Sequence, residues 1–337
     1  MQKDDLLGGL LRDVSRSFYL TLRVLPRPIR SQIGLAYLLA RTSDTIADTE
    51  LISVAERLET LRAFRSRVLG QTKKAIAFKA TPFGRSSSAE TLLLERVEES
   101  LRLLESFSPE DQQLIAGVLD TIIGGQELDL ERFSHGSAKD IIALRDSEEL
   151  DDYTYRVAGC VGEFWTKICW AHLFPPPATT GDMLKKGMEL GKGLQLVNIL
   201  RDLPRDLRAG RCYLPAEDLA GVGLRPKDLL DPTQFTTVQT VFRRYTQIAW
   251  RYLQNGWSYT NSIPFSQKRV RLACAWPVLI GARTLQRLES KNPLQPEPRI
   301  KVSRSEVWGI VLRSILIYPV PFWWKRQLAA AAGHECS

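Results

Sequence analysis

Two acidic stretches in this chain have the spacing for divalent-cation chemistry. In the first, Asp44 and Asp48 stand at i and i+4 within GLAYLLARTSDTIAD. Leu35, Leu38, Leu39 and Thr42 recur at helical spacing, which places both carboxylates on one face of a predicted helix. Like charges at that spacing repel by roughly a few tenths of a kcal/mol. A divalent cation that bridges them reverses the sign. Tyr37 and Arg41 lie on the same face, adding a phenol and a guanidinium. A solvated acidic face is the bland alternative, since a single DxxxD pattern is common by chance.

The second stretch is Gln195-Leu-Val-Asn198-Ile-Leu-Arg201-Asp202-Leu-Pro-Arg-Asp206. Asn198, Asp202 and Asp206 form one polar ridge at spacing four, flanked by Gln195 and Arg201. Most other positions are Leu, Ile or Val, so the ridge must meet a cavity or a partner. A buried carboxylate is costly unless it is paired or metal-bound. Mg²⁺ prefers hard oxygen ligands and uses few carboxylates beside substrate phosphates. Arg41 and Arg201 suit the same anion. Pro204 predicts a kink or an end to this helix, leaving Asp206 just past a bend.

The elements that must position these groups read as helices. Leu92, Leu93, Val97, Leu101 and Leu104 repeat at helical spacing, as do Leu114, Ile115, Val118, Leu119 and Ile122. No alternating strand pattern of any length appears. Loops are predicted at 79–88, 174–180, 209–220, 231–236 and 291–299. None is long enough to divide domains, so one all-α domain is the economical expectation.

Composition narrows the function classes. The 337 residues are 44% hydrophobic and 25% charged, as in globular proteins, with a formal net charge of +8. The basic residues are scattered and no zinc-finger or RNP-type pattern occurs, which argues against nucleic-acid binding. Five cysteines without CxxC spacing fit a reducing compartment. The N-terminus lacks the apolar core of a signal peptide. A cytoplasmic protein is expected, with peripheral membrane contact left open.

Several ordered segments make the chain resemble the squalene/phytoene synthase family. Ser15-Arg16-Ser17-Phe18 resembles that family's diphosphate-contacting N-terminal segment. Tyr37, Arg41, Asp44 and Asp48 look like its first aspartate-rich motif. Tyr153 to Glu163, with Val157, Ala158, Gly159 and Gly162, is similar to its YxxxVAGxVG helix. Gln195 to Asp206, followed by Gly210-Arg-Cys-Tyr213-Leu-Pro215, looks like the second aspartate-rich motif and its exit loop. The matches run from about residue 12 to residue 312.

The resemblance implies an all-α isoprenoid-synthase bundle with a central cavity over 1–317, followed by an aromatic and basic tail, 318–337. It implies Mg²⁺ held by Asp44, Asp48, Asn198, Asp202 and Asp206. Prenyl diphosphates would meet Ser15, Arg16, Ser17, Tyr37, Arg41, Arg201 and the Val157–Gly162 stretch. Tyr153, Arg41 and Gln195 would act on the reacting groups, with Tyr153 assisting proton removal or steadying cations. The reaction implied is 1′-1 coupling of two farnesyl diphosphates through presqualene diphosphate to squalene.

Cys274-Ala-Trp276-Pro277 resembles the CAxP helix of reducing squalene synthases, which implies NADPH, although a proline-kinked core helix reads the same way. The small residues Ala158, Gly159 and Gly162 suit either close helix packing or room for a long ligand. Alternatives in the same fold are a phytoene or dehydrosqualene synthase, or one that stops at presqualene diphosphate or quenches with water. A catalytically silent helical partner in a lipid pathway is a different class. The tail Tyr318–Arg326 has no counterpart in the family. Its Trp323 and Trp324, beside Lys325 and Arg326, suit a lipid interface, a packed core or disorder.

Overall fold

The computed structural model describes residues 5–15, 19–49, 52–76, 88–297 and 299–333. Helices dominate, as the periodicity predicts. Among the described residues, strand structure is limited to β1 (Ile142–Ala143) and β2 (Arg211–Cys212), which pair in parallel. The chain forms two compact units. One is Met1–Ser134 with Phe164–Pro176, and the other is His135–Glu163 with Pro177–Ser337.

The first unit is built on α1 (Arg27–Asp48), α2 (Val54–Val68), α3 (Ser88–Glu95) and α4 (Pro109–Arg132). Proline in the first turn of α1 suits a position whose N–H has no helical partner. A Ser53–Glu56 capping box starts α2, and the Ser108 side chain caps α4. Leu35, Leu38, Leu39 and Ile46 of α1 are fully buried, with Phe64 of α2 and Ile115 and Ile123 of α4. Each such side chain stabilises the unit by roughly 1.5–3 kcal/mol. That apolar stripe fixes the rotation of α1, and so the direction of its Tyr37–Asp48 face.

The second unit centres on α7 (Thr180–Arg208), packed by α8 (Phe235–Ser262) and α9 (Lys268–Glu289). Before it come α5 (Ser147–Thr154), a π-type turn over Tyr155–Gly159, and the start of α6 (Cys160–His172), whose residues from Phe164 on belong to the first unit. The helix α7 runs on through Pro204 to Arg208, against the expected break. The proline lies near the end, so one ladder bond is lost. Leu196, Val197, Leu200, Leu203 and Leu207 are buried along one side and hold the helix together. Asp206 is therefore helical. α9 is likewise continuous across Pro277.

Two predicted loops contain short helical pieces, Ala216–Ala220 and Pro232–Gln234. Pro215 and Pro232 preset the backbone at their starts. Residues 79–87 of the first predicted loop lie outside the described residues.

Candidate active site

In the first unit, α1 presents the acidic pair. Asp44 accepts a hydrogen bond from Gln126 of α4 and lies 3.8 Å from Arg41 Nη1. Its side chain is 47% exposed. Burial and then the charge of Asp48 push its carboxyl up to about 6, against the pull of Arg41 and Gln126. Arg41 Nη2 donates to Glu90 of α3, a carboxylate that no motif in the sequence singles out. Tyr37 is half-buried on the same helix. Ser15 is buried and its hydroxyl donates to Leu11 O, so its own helix engages it. Arg16 and Ser17 lie outside the described residues.

In the second unit, the ridge on α7 meets cations. Arg201 donates twice to Asp202, at 3.0 and 2.6 Å. Arg299, from the loop after α9, donates twice to Asp202 Oδ1, at 3.2 and 2.6 Å. Burial alone would raise the Asp202 carboxyl. Arg201 first, then Arg299, outweigh it and hold the group below the ordinary carboxylate range. Asn198 Nδ2 reaches Gln195 Oε1 at a long 3.5 Å. Periodicity found Asp202 and Asn198, but Arg299 lies 97 residues from Asp202 in a segment with no pattern.

Tyr153 stacks on Tyr213, ring centroids 4.6 Å apart and planes 25° apart. Local structure explains the pair. Ile142 N donates to Gly210 O and Leu144 N to Cys212 O, which ties the loop after α7 to the segment leading into α5. Gly210 has φ +79°, and a Cβ there would lie 2.1 Å from Ser137 N, so only glycine makes the turn. The Asp146 side chain caps α5 by accepting from Glu148 N and Glu149 N. Buried Lys192 of α7 pairs with Asp151 beside Tyr153.

The glycines of the π-type turn and α6 stand in close contact with α7. A Cβ on Gly162 would lie 1.9 Å from Gly187 O of α7, and one on Gly159 would meet the side chains of Lys192 and Met188. Val157 and Ala158 are half-buried. Cys274 and Trp276 point into the core, where Trp276 Nε1 donates to Ser314 Oγ at 2.8 Å, and Pro277 is half-buried. A groove of about 530 Å³ between α5 and α8, with Asp151, Asp152, Tyr155, Arg244 and Tyr252 in its lining, includes none of the side chains expected to hold metal or substrate.

Among the described residues, no three His, Cys, Asp or Glu side chains gather closely enough to enclose a metal alone. The donors still fit Mg²⁺. Asp44 and Asp48 share a face, Asp44 is half-exposed, and Mg²⁺ commonly takes one or two carboxylates with substrate phosphates and water. No helix among the described residues is long and apolar enough to cross a membrane.

Comparison with known proteins agrees with this picture. The family profile described as squalene/phytoene synthase matches residues 11–306. The presqualene diphosphate synthase of Rhodopseudomonas palustris is 33% identical over 212 residues, covering 63% of this chain and 62% of that protein. The bifunctional lycopene cyclase/phytoene synthase of Blakeslea trispora is 29% identical over 213 residues, covering 62% of this chain and 32% of that one. The chain thus spans less than two thirds of the length of these relatives. Among solved structures, a ligand complex of TcSQS superposes with TM-score 0.78 at 20% identity, covering 99% of this chain and 93% of that one. The squalene synthase HpnC from Alicyclobacillus acidocaldarius gives 0.61 at 18% identity, covering 86% and 93%. These likenesses show the all-α isoprenoid-synthase fold, and the profile match shows that the chain belongs to the squalene/phytoene synthase family.

Proposed function

We propose that this chain joins two farnesyl diphosphates head to head to give presqualene diphosphate, with Mg²⁺ as the metal. The observation that carries this reading is Asp202 held between Arg201 and Arg299 beside Asn198. One carboxylate, two guanidiniums and an amide make the mixed set that a metal–diphosphate pair needs, because the cations neutralise phosphate oxygens while the carboxylate holds metal. The face of Tyr37, Arg41, Asp44 and Asp48 repeats that composition. Magnesium, when bound, neutralises diphosphate and makes it a better leaving group.

The remaining roles fall to side chains. Arg41, Arg201 and Arg299 bind and orient diphosphate. In the coupling, one substrate loses diphosphate, its C1 is attacked by the double bond of the other, and a proton leaves as the cyclopropane closes. The stacked Tyr153 and Tyr213 rings offer π faces that steady the positive charge, and the Tyr153 hydroxyl assists the proton's departure. Gln195 orients the intermediate.

A second reading, NADPH-dependent reduction onward to squalene, rests on the Cys274–Pro277 resemblance. The names of the relatives from Rhodopseudomonas palustris and Zymomonas mobilis favour the first reading. The test is product analysis with farnesyl diphosphate and Mg²⁺, with and without NADPH. Presqualene diphosphate under both conditions is the expected result. Squalene formed only with NADPH would establish the second reading, and full turnover in excess EDTA would remove the metal from both. Geranylgeranyl diphosphate should be the poorer substrate.

A further inference from the structure

The end of the second unit carries an apolar surface that the reaction does not use. Among the described residues, seven of the eleven exposed large apolar side chains fall between positions 308 and 323. Six lie on α10 (Arg304–Ile317) and α11 (Pro321–Lys325), and Val320 lies between the two. On α10, Trp308, Leu312, Ile315 and Leu316 recur at i, i+4, i+7 and i+8, which makes one continuous stripe. Leu316 is 76% exposed. The opposite side of α10 is already satisfied, since Val311 and Ser314 are buried and Ser314 accepts from Trp276. The helix therefore has two apolar faces, one of them unpartnered.

α11 extends the patch and is firmly seated. Trp324 is 1% exposed, stacks on Trp257 and donates from Nε1 to Asn261 Oδ1 at 2.8 Å. Trp257 Nε1 donates to Lys325 O. With Trp324 turned inward, its neighbours Phe322 and Trp323 turn outward, at 57% and 53% exposure. Of the alternatives the tail offered in sequence, Trp324 takes the packed core, while Trp323 is exposed.

Charge decides what the patch meets. From Lys301 to Gly333 the chain carries five cations, Lys301, Arg304, Arg313, Lys325 and Arg326, against one carboxylate, Glu306. Glu306 already pairs with Arg287. None of the five cations has an ion-pair partner among the described residues. A second copy docked on the same patch would bring these cations against their counterparts, because a two-fold interface juxtaposes identical surfaces. An anionic bilayer has the opposite charge, an apolar interior for the aliphatic side chains and a headgroup zone where tryptophan, lysine and arginine are favoured.

We infer that the α10–α11 face is a docking surface for an anionic lipid bilayer, with Trp308, Leu312, Leu316 and Trp323 entering the interface and Lys325 and Arg326 meeting headgroup phosphates. The inference stands on the surface alone and does not depend on the proposed reaction. The full chain should float with vesicles of equimolar phosphatidylglycerol and phosphatidylcholine, and bind pure phosphatidylcholine vesicles about tenfold less. The combined variant Leu312→Ser/Leu316→Ser/Trp323→Ser, whose thermal melt should match the parent because these side chains are exposed, should lose about tenfold in vesicle binding. Lys325→Glu/Arg326→Glu should lose the preference for phosphatidylglycerol. Failure to float, equal binding to both vesicle types, or a triple variant that binds like the parent would each overturn the proposal. A dimer seen by light scattering without vesicles, broken by the triple variant and accompanied by no flotation, would replace lipid with a second copy.

Discussion

Asp202 shows how one residue can be both paired and reactive. Arg201 and Arg299 keep its carboxyl ionised at neutral pH, and the same guanidiniums are available to phosphate. Asp202→Asn preserves shape but removes the charge that would hold metal, so turnover should fall roughly 100-fold or more with the thermal melt nearly unchanged. Full activity in that variant, or in Asp44→Asn, would refute the metal assignment. Tyr153 calls for a different signature. If its hydroxyl assists proton departure, Tyr153→Phe should lower kcat by about 10- to 100-fold and leave KM nearly unaltered. A change confined to KM would contradict the role. The aspartates were legible because a helix turns spacing into a shared face. Arg299, Glu90 and the stacking of Tyr213 were not, because a contact made by chain tens of residues away leaves no local period to read.

The elements show that two of the glycines expected at the ligand also make close packing contacts. Gly162 lies against the backbone of α7, and that approach sets the separation between α7 and the turn after Tyr153. Gly162→Ala forces the added carbon onto Gly187 O, and should cost about 1–3 kcal/mol by overpacking and reduce activity through displaced Tyr153. An unaltered melting temperature would show that the helices separate freely. A second contact joins α9 to α10. Glu306 accepts from Ser303 and from Arg287, and Ser303 first, then Arg287, hold its carboxyl down at about 2. A depressed carboxyl stabilises the fold above its unfolded value of about 4.3, and that contribution fades as pH falls toward 2. Glu306→Gln should therefore melt below the parent at pH 6, by about 1 kcal/mol. The gap should close between pH 4 and pH 2, and a gap independent of pH would contradict this account. Caps such as Ser303–Glu306 are visible in sequence. The continuity of α7 through Pro204 is not, because tertiary burial of Leu203 and Leu207 outweighs one missing hydrogen bond.

At the scale of the whole chain, the sequence suggests a boundary after residue 317, a few residues past the end of the resemblance, where an aromatic tail begins. In the second unit, Tyr318 and Trp324 of that tail are buried in the core. Arg271 is buried, and its guanidinium lies 5.4–5.6 Å from the ring centroids of Phe265, Tyr318 and Trp324. Burial lowers its pKa, which marks the cost of keeping the charge there. The rings return part of that cost through cation–π attraction, and Asn261 accepts from Arg271 and from Trp324. No helical or strand period links Arg271 to Trp324, so this box could not be read before folding. Trp324→Ala should cost about 3–5 kcal/mol, and ending the chain after Ile317 should cost at least as much. For a chain of this size each kcal/mol shifts the melting temperature by about 2 °C, so drops of about 6–10 °C are expected. The two effects should be coupled. In an Arg271→Leu background no charge is left to orphan, so Trp324→Ala should cost distinctly less than it does alone. Equal costs in both backgrounds would mean that Trp324 acts by burial only, and a shortened chain that melts with the parent would make the tail an appendage after all.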